Sequence, residues 1–247
     1  MIKLFSTLMS FSPLHNSMNT TLIESISRSA LEAMDLPSVR RYNELVDAEI
    51  ARVSTPEKRS EVEGWRLRED LGALGYDGNP LAPVVYLQAN PSYGDDATRQ
   101  THYQPHPDFP LSVAGKHIHP PTRSYYHDEV FRHLLMEGIS MEQISRNLLK
   151  VELCPWASKK WPGTSKLGTA LSQFPSRDPI AKFVDNLIDR GAIFVMARAW
   201  SPWFTAVPSL KPLIGSRVFK SKAPVSPFIS RGSYPEGWHL IVSSMQS

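Results

Sequence analysis

Val84-Val85-Tyr86-Leu87-Gln88-Ala89-Asn90-Pro91-Ser92-Tyr93-Gly94 is an apolar run that stops abruptly in a polar turn. The run predicts a buried strand over 84–89 that delivers the Asn90 amide to its carboxyl end. In open α/β sheets the crevice beyond the strand carboxyl ends is where ligands bind. Val151-Glu152-Leu153-Cys154-Pro155-Trp156 repeats the arrangement, with one internal polar residue before the proline. A strand is expected over 149–154. Two such strand ends predict a pocket with few, chosen polar groups.

Working outward, strands alternate with helices. Thr21-Leu22-Ile23-Glu24 reads as a capping box opening a helix to about Met34. A second helix follows Pro37, and Thr55-Pro56 caps a third that runs to about Leu74. Gly75-Tyr76-Asp77-Gly78-Asn79-Pro80 reads as a dense turn. Residues 91–126 form a long segment with little periodicity, and loops of that length within compact domains are often functional. Helices are expected at 127–137, at 140–148 with Ser140 and Gln143 as a box, and from Asp178-Pro179 to Arg190. The apolar run 192–197 suits the interior of a parallel sheet. A short helix around Trp203, a weak strand over 217–219 and a proline-rich loop at 223–227 complete the pattern. The expected fold is α/β: a three-layer α/β/α sandwich with a small, mostly parallel central sheet, plus N-terminal helices. Residues 1–79 read as a helical extension packed on the core and 80–247 as the catalytic domain, together one globular unit.

With 247 residues, 41% of them hydrophobic, the chain can bury one sizeable core. Its net charge of +3 is unevenly spread. Residues 150–247 carry 13 Lys and Arg against 5 Asp and Glu, and the rest carries 14 against 19. A basic C-terminal portion is what phosphate contacts require, and solvated surface lysines are the plain alternative. One cysteine, Cys154, excludes an internal disulfide and a four-thiolate metal site; it reads as a packing residue. No run approaches the ~20 apolar residues that span a bilayer, and a cytoplasmic monomer without membrane contact or cofactor is expected. Met1 to Met18 leaves a secretory signal open, and a mis-assigned start with Met18 as initiator fits equally well.

Leu87-Gln88-Ala89-Asn90-Pro91-Ser92-Tyr93-Gly94 resembles the first motif of the uracil-DNA glycosylase superfamily, especially its single-strand-selective and mismatch-specific branches. There a glycine-x-Asn-Pro-Gly/Ser segment follows the first core strand. Glu152-Leu153-Cys154-Pro155 is similar to the Asn-x-Cys-Pro segment of the second strand. Ser226-Pro227-Phe228 with Arg231-Gly232 resembles the Ser-Pro-Leu element of the loop that enters the DNA minor groove. The resemblance covers roughly residues 80–240, and the stretch from Glu152 through Ser158-Lys159-Lys160 to Arg198 looks like a poorly described bacterial branch. It implies a glycosylase that flips a nucleotide out of DNA, cuts its glycosidic bond and leaves an abasic site.

Under that resemblance Asn90 holds the attacking water, and Asp95 or Asp96 polarises it or favours the cationic sugar. Tyr93 walls the pocket, and Gln88 contacts the substrate. Glu152 departs from the family's asparagine. A carboxylate accepts only, so it suits the exocyclic amine of cytosine rather than uracil O4. The alternative is a buried glutamate paired with a cation such as Arg198. The segment 97–127 supplies His102, His106, His117, His119 and His127 with Tyr103, Arg123, Tyr125 and Tyr126. These groups suit a bulky polar adduct on the base. Zinc held by His117-x-His119 is the rival, without a supporting cysteine or helical histidine pair; no metal is expected. The family's last-motif histidine is missing, since Lys222-Ala223-Pro224-Val225 stands there. Phe228 is the candidate wedge. Lys159, Lys160, Lys166, Lys220, Lys222, Ser226 and Arg231 are the candidate DNA contacts. The expected substrate is a modified cytosine, glucosylated hydroxymethylcytosine in phage DNA, excised as antiviral defence. A repair glycosylase for uracil and a non-catalytic reader of modified DNA stay open.

Overall fold

The computed structural model describes residues 20–91, 129–163, 165–223 and 228–246. Five strands form one sheet: β1 (Tyr76–Gly78), β2 (Val84–Gln88), β3 (Leu148–Glu152), β4 (Ile193–Met196) and β5 (Val218–Lys220). Their order is β1-β3-β2-β4-β5, parallel except for β1, which runs antiparallel to β3. β2 and β4 fall inside the expected runs 84–89 and 192–197. β3 starts one residue before the expected 149–154 and ends two residues short of it, and β5 is the expected weak strand 217–219 moved on by one residue. β1 has no such counterpart. The expected turn at 75–80 holds a three-residue edge strand, because the partner strand decides its conformation. Gly78 takes φ +103°, and a Cβ there would stand 2.6 Å from the Leu148 carbonyl oxygen.

Side chains alternate between two faces. On one, Val85, Leu87, Leu149, Val151, Phe194 and Met196 pack under α2 (Arg28–Arg52), α6 (Lys166–Leu171) and α7 (Arg177–Asp189). On the other, Val84, Tyr86, Leu148, Ile193 and Val195 pack against α4 (Arg132–Met136), α5 (Met141–Asn147) and α9 (Trp238–Gln246). The fold is therefore α/β with helices on both faces of a small, mostly parallel sheet. The Ser140 and Gln143 box forms as expected at the start of α5. Among the described residues no helix is long and apolar enough to cross a membrane.

The N-terminal helices differ from the local reading. α1 (Thr20–Ser25) is short, and α2 restarts at a Ser27 cap and continues through Pro37. Leu31, Asp35, Val39, Tyr42 and Val46 line its buried face, whereas Ala33 and Pro37 are exposed. The Ala33 carbonyl, which loses its donor to Pro37, therefore faces water, and burial of the opposite face holds the helix together. α3 (Pro56–Glu63) starts at the expected Thr55 cap but stops well before Leu74. Beyond it the backbone has other partners. Leu67 exchanges two hydrogen bonds with the Asn43 side chain, Arg68 N–H donates to Ala157 and Leu74 N–H to Pro155.

Asp35, fully buried, ties α2 to the far side of the core. Its carboxylate accepts from Trp156 Nε1 at 3.0 Å and from Ser176 N–H at 2.9 Å. Burial raises its pKa above the ordinary value, and the bonds from Ser176 and Trp156 oppose that rise. Asp35→Asn turns one acceptor into a donor facing a donor, so thermal denaturation should show a loss of about 1–3 kcal/mol. A raised folded pKa makes Asp35's contribution greatest at low pH and lost as pH rises, so the deficit should shrink toward neutrality. A deficit that instead grows from pH 4 to pH 7 contradicts this account.

Candidate active site

β2 is the point where the strand order turns: β3 lies on one side of it and β4 on the other. Ligand crevices of doubly wound sheets form at such points, beyond the carboxyl ends. A cavity of about 450 Å³ opens there, within the usual range for ligand pockets. Its walls are the end of β2 (Tyr86 and Gln88 to Asn90), residues 158–161 after β3, and Ala197 to Ala199 after β4.

Asn90 Nδ2 donates to Ser158 Oγ at 2.7 Å, with the Pro91 and Trp156 carbonyl oxygens at 3.1 and 3.4 Å. Ser158 gives its own proton to the Lys160 carbonyl at 2.8 Å. A hydroxyl whose proton is spent must accept, so the group facing it is the amide NH₂. That fixes the amide: its nitrogen braces the loop after β3, and its oxygen is the atom with chemistry to offer the cavity. Backbone bonds from Leu153, Cys154 and Ser158 to Gln88, Ala89 and Pro91 zip the same two segments together. Trp203 Nε1 donates to the Gln88 carbonyl at 2.9 Å, so β2's end is held from the opposite face as well.

Glu152 is the register partner of Gln88, and Lys150 that of Tyr86 and Asp77. Lys150, Glu152 and Asp77 are all buried. The Lys150 ammonium lies 3.3 Å from Glu152 Oε1 and 4.0 Å from Asp77 Oδ2. Neither Glu152 oxygen has a well-directed hydrogen bond. Burial raises the Glu152 pKa, and Lys150 pulls it back. Two expectations change here. The cation beside Glu152 is Lys150, not Arg198, because residues two apart on a strand share a face. Among the described residues Gln88, not Glu152, forms the cavity wall, and Glu152 lies beside it.

Gln88, Asn90, Lys159, Lys160 and Arg198 meet around this cavity as proposed site residues. Lys220 and Lys222 line a neighbouring one. Phe228 packs edge-on against His133, ring centres 5.6 Å apart, and Arg231 is exposed. Tyr93, Asp95, Asp96, His102, His106, His119 and Ser226 lie outside the described residues, as do His117 and the other residues of 97–127. Cys154 is buried and its thiol is pushed up to about 12, which makes it an inert packing residue. Ser158, Trp161 and Ala199 complete the wall without any local signature of a site.

Ala199 takes φ +57°, the one non-glycine positive φ among the described residues, at the start of α8 (Trp200–Ala206). Such strain costs an L-residue ~1–2 kcal/mol and gathers at functional sites. Ala199→Gly should therefore raise the thermal midpoint by about 2–4 °C, a gain of ~1 kcal/mol. Ala181→Gly, inside α7, should lower it by a similar amount. A fall for both variants removes the case for strain at the rim.

No family model matches this chain, and comparison with curated proteins and with solved structures likewise yields no match.

Proposed function

We infer that the chain is a DNA glycosylase that takes an extruded, modified cytosine into the cavity and hydrolyses its glycosidic bond. The observation that carries the reading is the orientation of Asn90: its nitrogen is bonded to the loop after β3, leaving the oxygen to hold a water. In the reaction the water oxygen bonds to C1′ of the deoxyribose. The C1′–N bond breaks with its electron pair leaving on the base, and a water proton neutralises the base anion. The transition state is cationic at the sugar, so a site that aligns the water before bond cleavage lowers the barrier. Lys159, Lys160 and Arg198 at the rim suit the phosphates on either side of the extruded nucleotide. Gln88 in the cavity wall offers an amide oxygen to an amine-bearing base, and the buried Glu152–Lys150 pair lies beside it.

The expected substrate is phage DNA carrying glucosylated hydroxymethylcytosine, with antiviral defence as the role. One observation favours a second reading, excision of uracil: Gln88 lines the cavity, and its amide both donates and accepts. Incubation with duplexes containing glucosyl-hydroxymethylcytosine, plain cytosine or uracil, followed by alkaline cleavage at abasic sites, separates these readings. Breaks in the glucosylated DNA alone support the first, breaks in uracil DNA the second. Binding without breaks makes the protein a reader of modified DNA.

A further inference from the structure

A second cavity, of about 230 Å³, opens one residue further along the chain. Ala199 lines the first cavity and Trp200 the second, so the segment after β4 separates them. The outer walls are the end of β5 and the turn before α9, from Tyr234 to Gly237.

Four features of this cavity belong together. Trp200 is half-buried, and its Nε1 donates to the Met196 carbonyl at 3.2 Å, so the indole is held by a backbone bond. The Lys220 ammonium stands 5.1 Å from the centre of that ring. Lys222 is exposed and meets Glu236 only at 3.6 Å, with both side chains largely in water. Tyr234 is 1% exposed, with its hydroxyl turned toward the Ser221 side chain. An ion alone would use the ammonium groups and leave the indole idle. An apolar peptide would have no use for two lysines. A nucleotide uses both: a flat base for the ring and a phosphate for the cations.

We propose that this second cavity takes the nucleotide flanking the one held in the first, its base stacked on Trp200 and its phosphate drawn to Lys220 and Lys222. Ammonium–indole contacts at exposed sites are weak, so Lys220 can exchange the ring for a phosphate at little cost. The excess of basic residues over 150–247 supplies the matching long-range field. The site rests on the glycosylase reading for the identity of the first cavity's occupant. Its own affinity for single strands does not depend on catalysis.

The test compares two fluorescein-labelled single strands by anisotropy: a thymidine 12-mer, and a 12-mer of abasic spacers with the same phosphates. Trp200→Ala should weaken binding of the thymidine strand about 5- to 150-fold and of the spacer strand less than about twofold. Trp200→Phe, which keeps a flat ring, should restore most of the loss, so a folding defect in the alanine variant is recognised. Lys220→Ala and Lys222→Ala should weaken both strands alike and reduce the salt slope by about one each. Equal losses on both strands for Trp200→Ala, with no recovery in Trp200→Phe, overturn the proposal, as does no loss on either strand. If the base-dependent loss appears but no DNA yields abasic sites, the stacking site stands and the glycosylase reading falls.

Discussion

Asn90→Ala lowers the rate of base release by about 10²- to 10⁴-fold, the usual worth of a side chain that handles the reacting water. Strand binding should change by less than about threefold, because the cationic rim is untouched. The variant also loses the brace between β2 and the loop after β3, so it should unfold ~1–3 kcal/mol more easily. Asn90→Asp separates the two roles. A carboxylate has no proton for Ser158 Oγ or for the Pro91 and Trp156 carbonyl oxygens, so the brace becomes a repulsion unless the group is protonated. Its folded pKa is then raised, and its stability contribution is present at low pH and lost as pH rises. Melting curves should show Asn90→Asp close to wild type near pH 4 and clearly below it at pH 8. Wild-type stability and activity for Asn90→Asp at pH 8 would mean that the amide oxygen, not the nitrogen, faces the loop.

What the sequence disclosed about this site follows from which signals are local. The strands β2 and β4 lie in continuous apolar runs, and a run needs no partner to be read; β3 is apolar except for Lys150 and Glu152. Asn90 stands out as an amide followed by proline at a strand end, a pattern that also marks an ordinary Asn-Pro turn. β1 is invisible for the opposite reason: Tyr76 to Gly78 sits among glycines and an Asn-Pro, and only pairing with β3 makes it a strand. The helix through Pro37 could not be read locally either, since the outcome depends on which face is buried. Lys150 was within reach. Lys150-Val151-Glu152 places a cation and a carboxylate on one face of a strand whose other positions are apolar, which is itself a pairing signal. Asp77 was not, because its approach to Lys150 depends on the unforeseen edge strand. The rim residues Ser158 and Ala199 carry no signature, since a serine bond and a strained alanine are products of the fold.

The second large effect is Lys150→Met. It leaves the carboxylates of Asp77 and Glu152 buried on one sheet face without the ammonium between them. Removing one partner of a buried ion pair costs about 3–5 kcal/mol, because the remaining charge keeps its desolvation penalty. The wild-type Glu152 pKa is already raised by burial, and Lys150 is what pulls it back. Without Lys150 it rises further, so the folded variant binds a proton that the unfolded chain releases above the ordinary carboxylate range. Stability then falls as pH rises through that window, and the deficit against wild type should be largest at pH 8 and smallest near pH 4. Glu152→Gln in the Lys150→Met background removes the proton from the balance and should recover part of the loss at pH 8. A deficit independent of pH, unrelieved by Glu152→Gln, would show that Lys150 acts by packing and that Glu152 is neutral in the native protein.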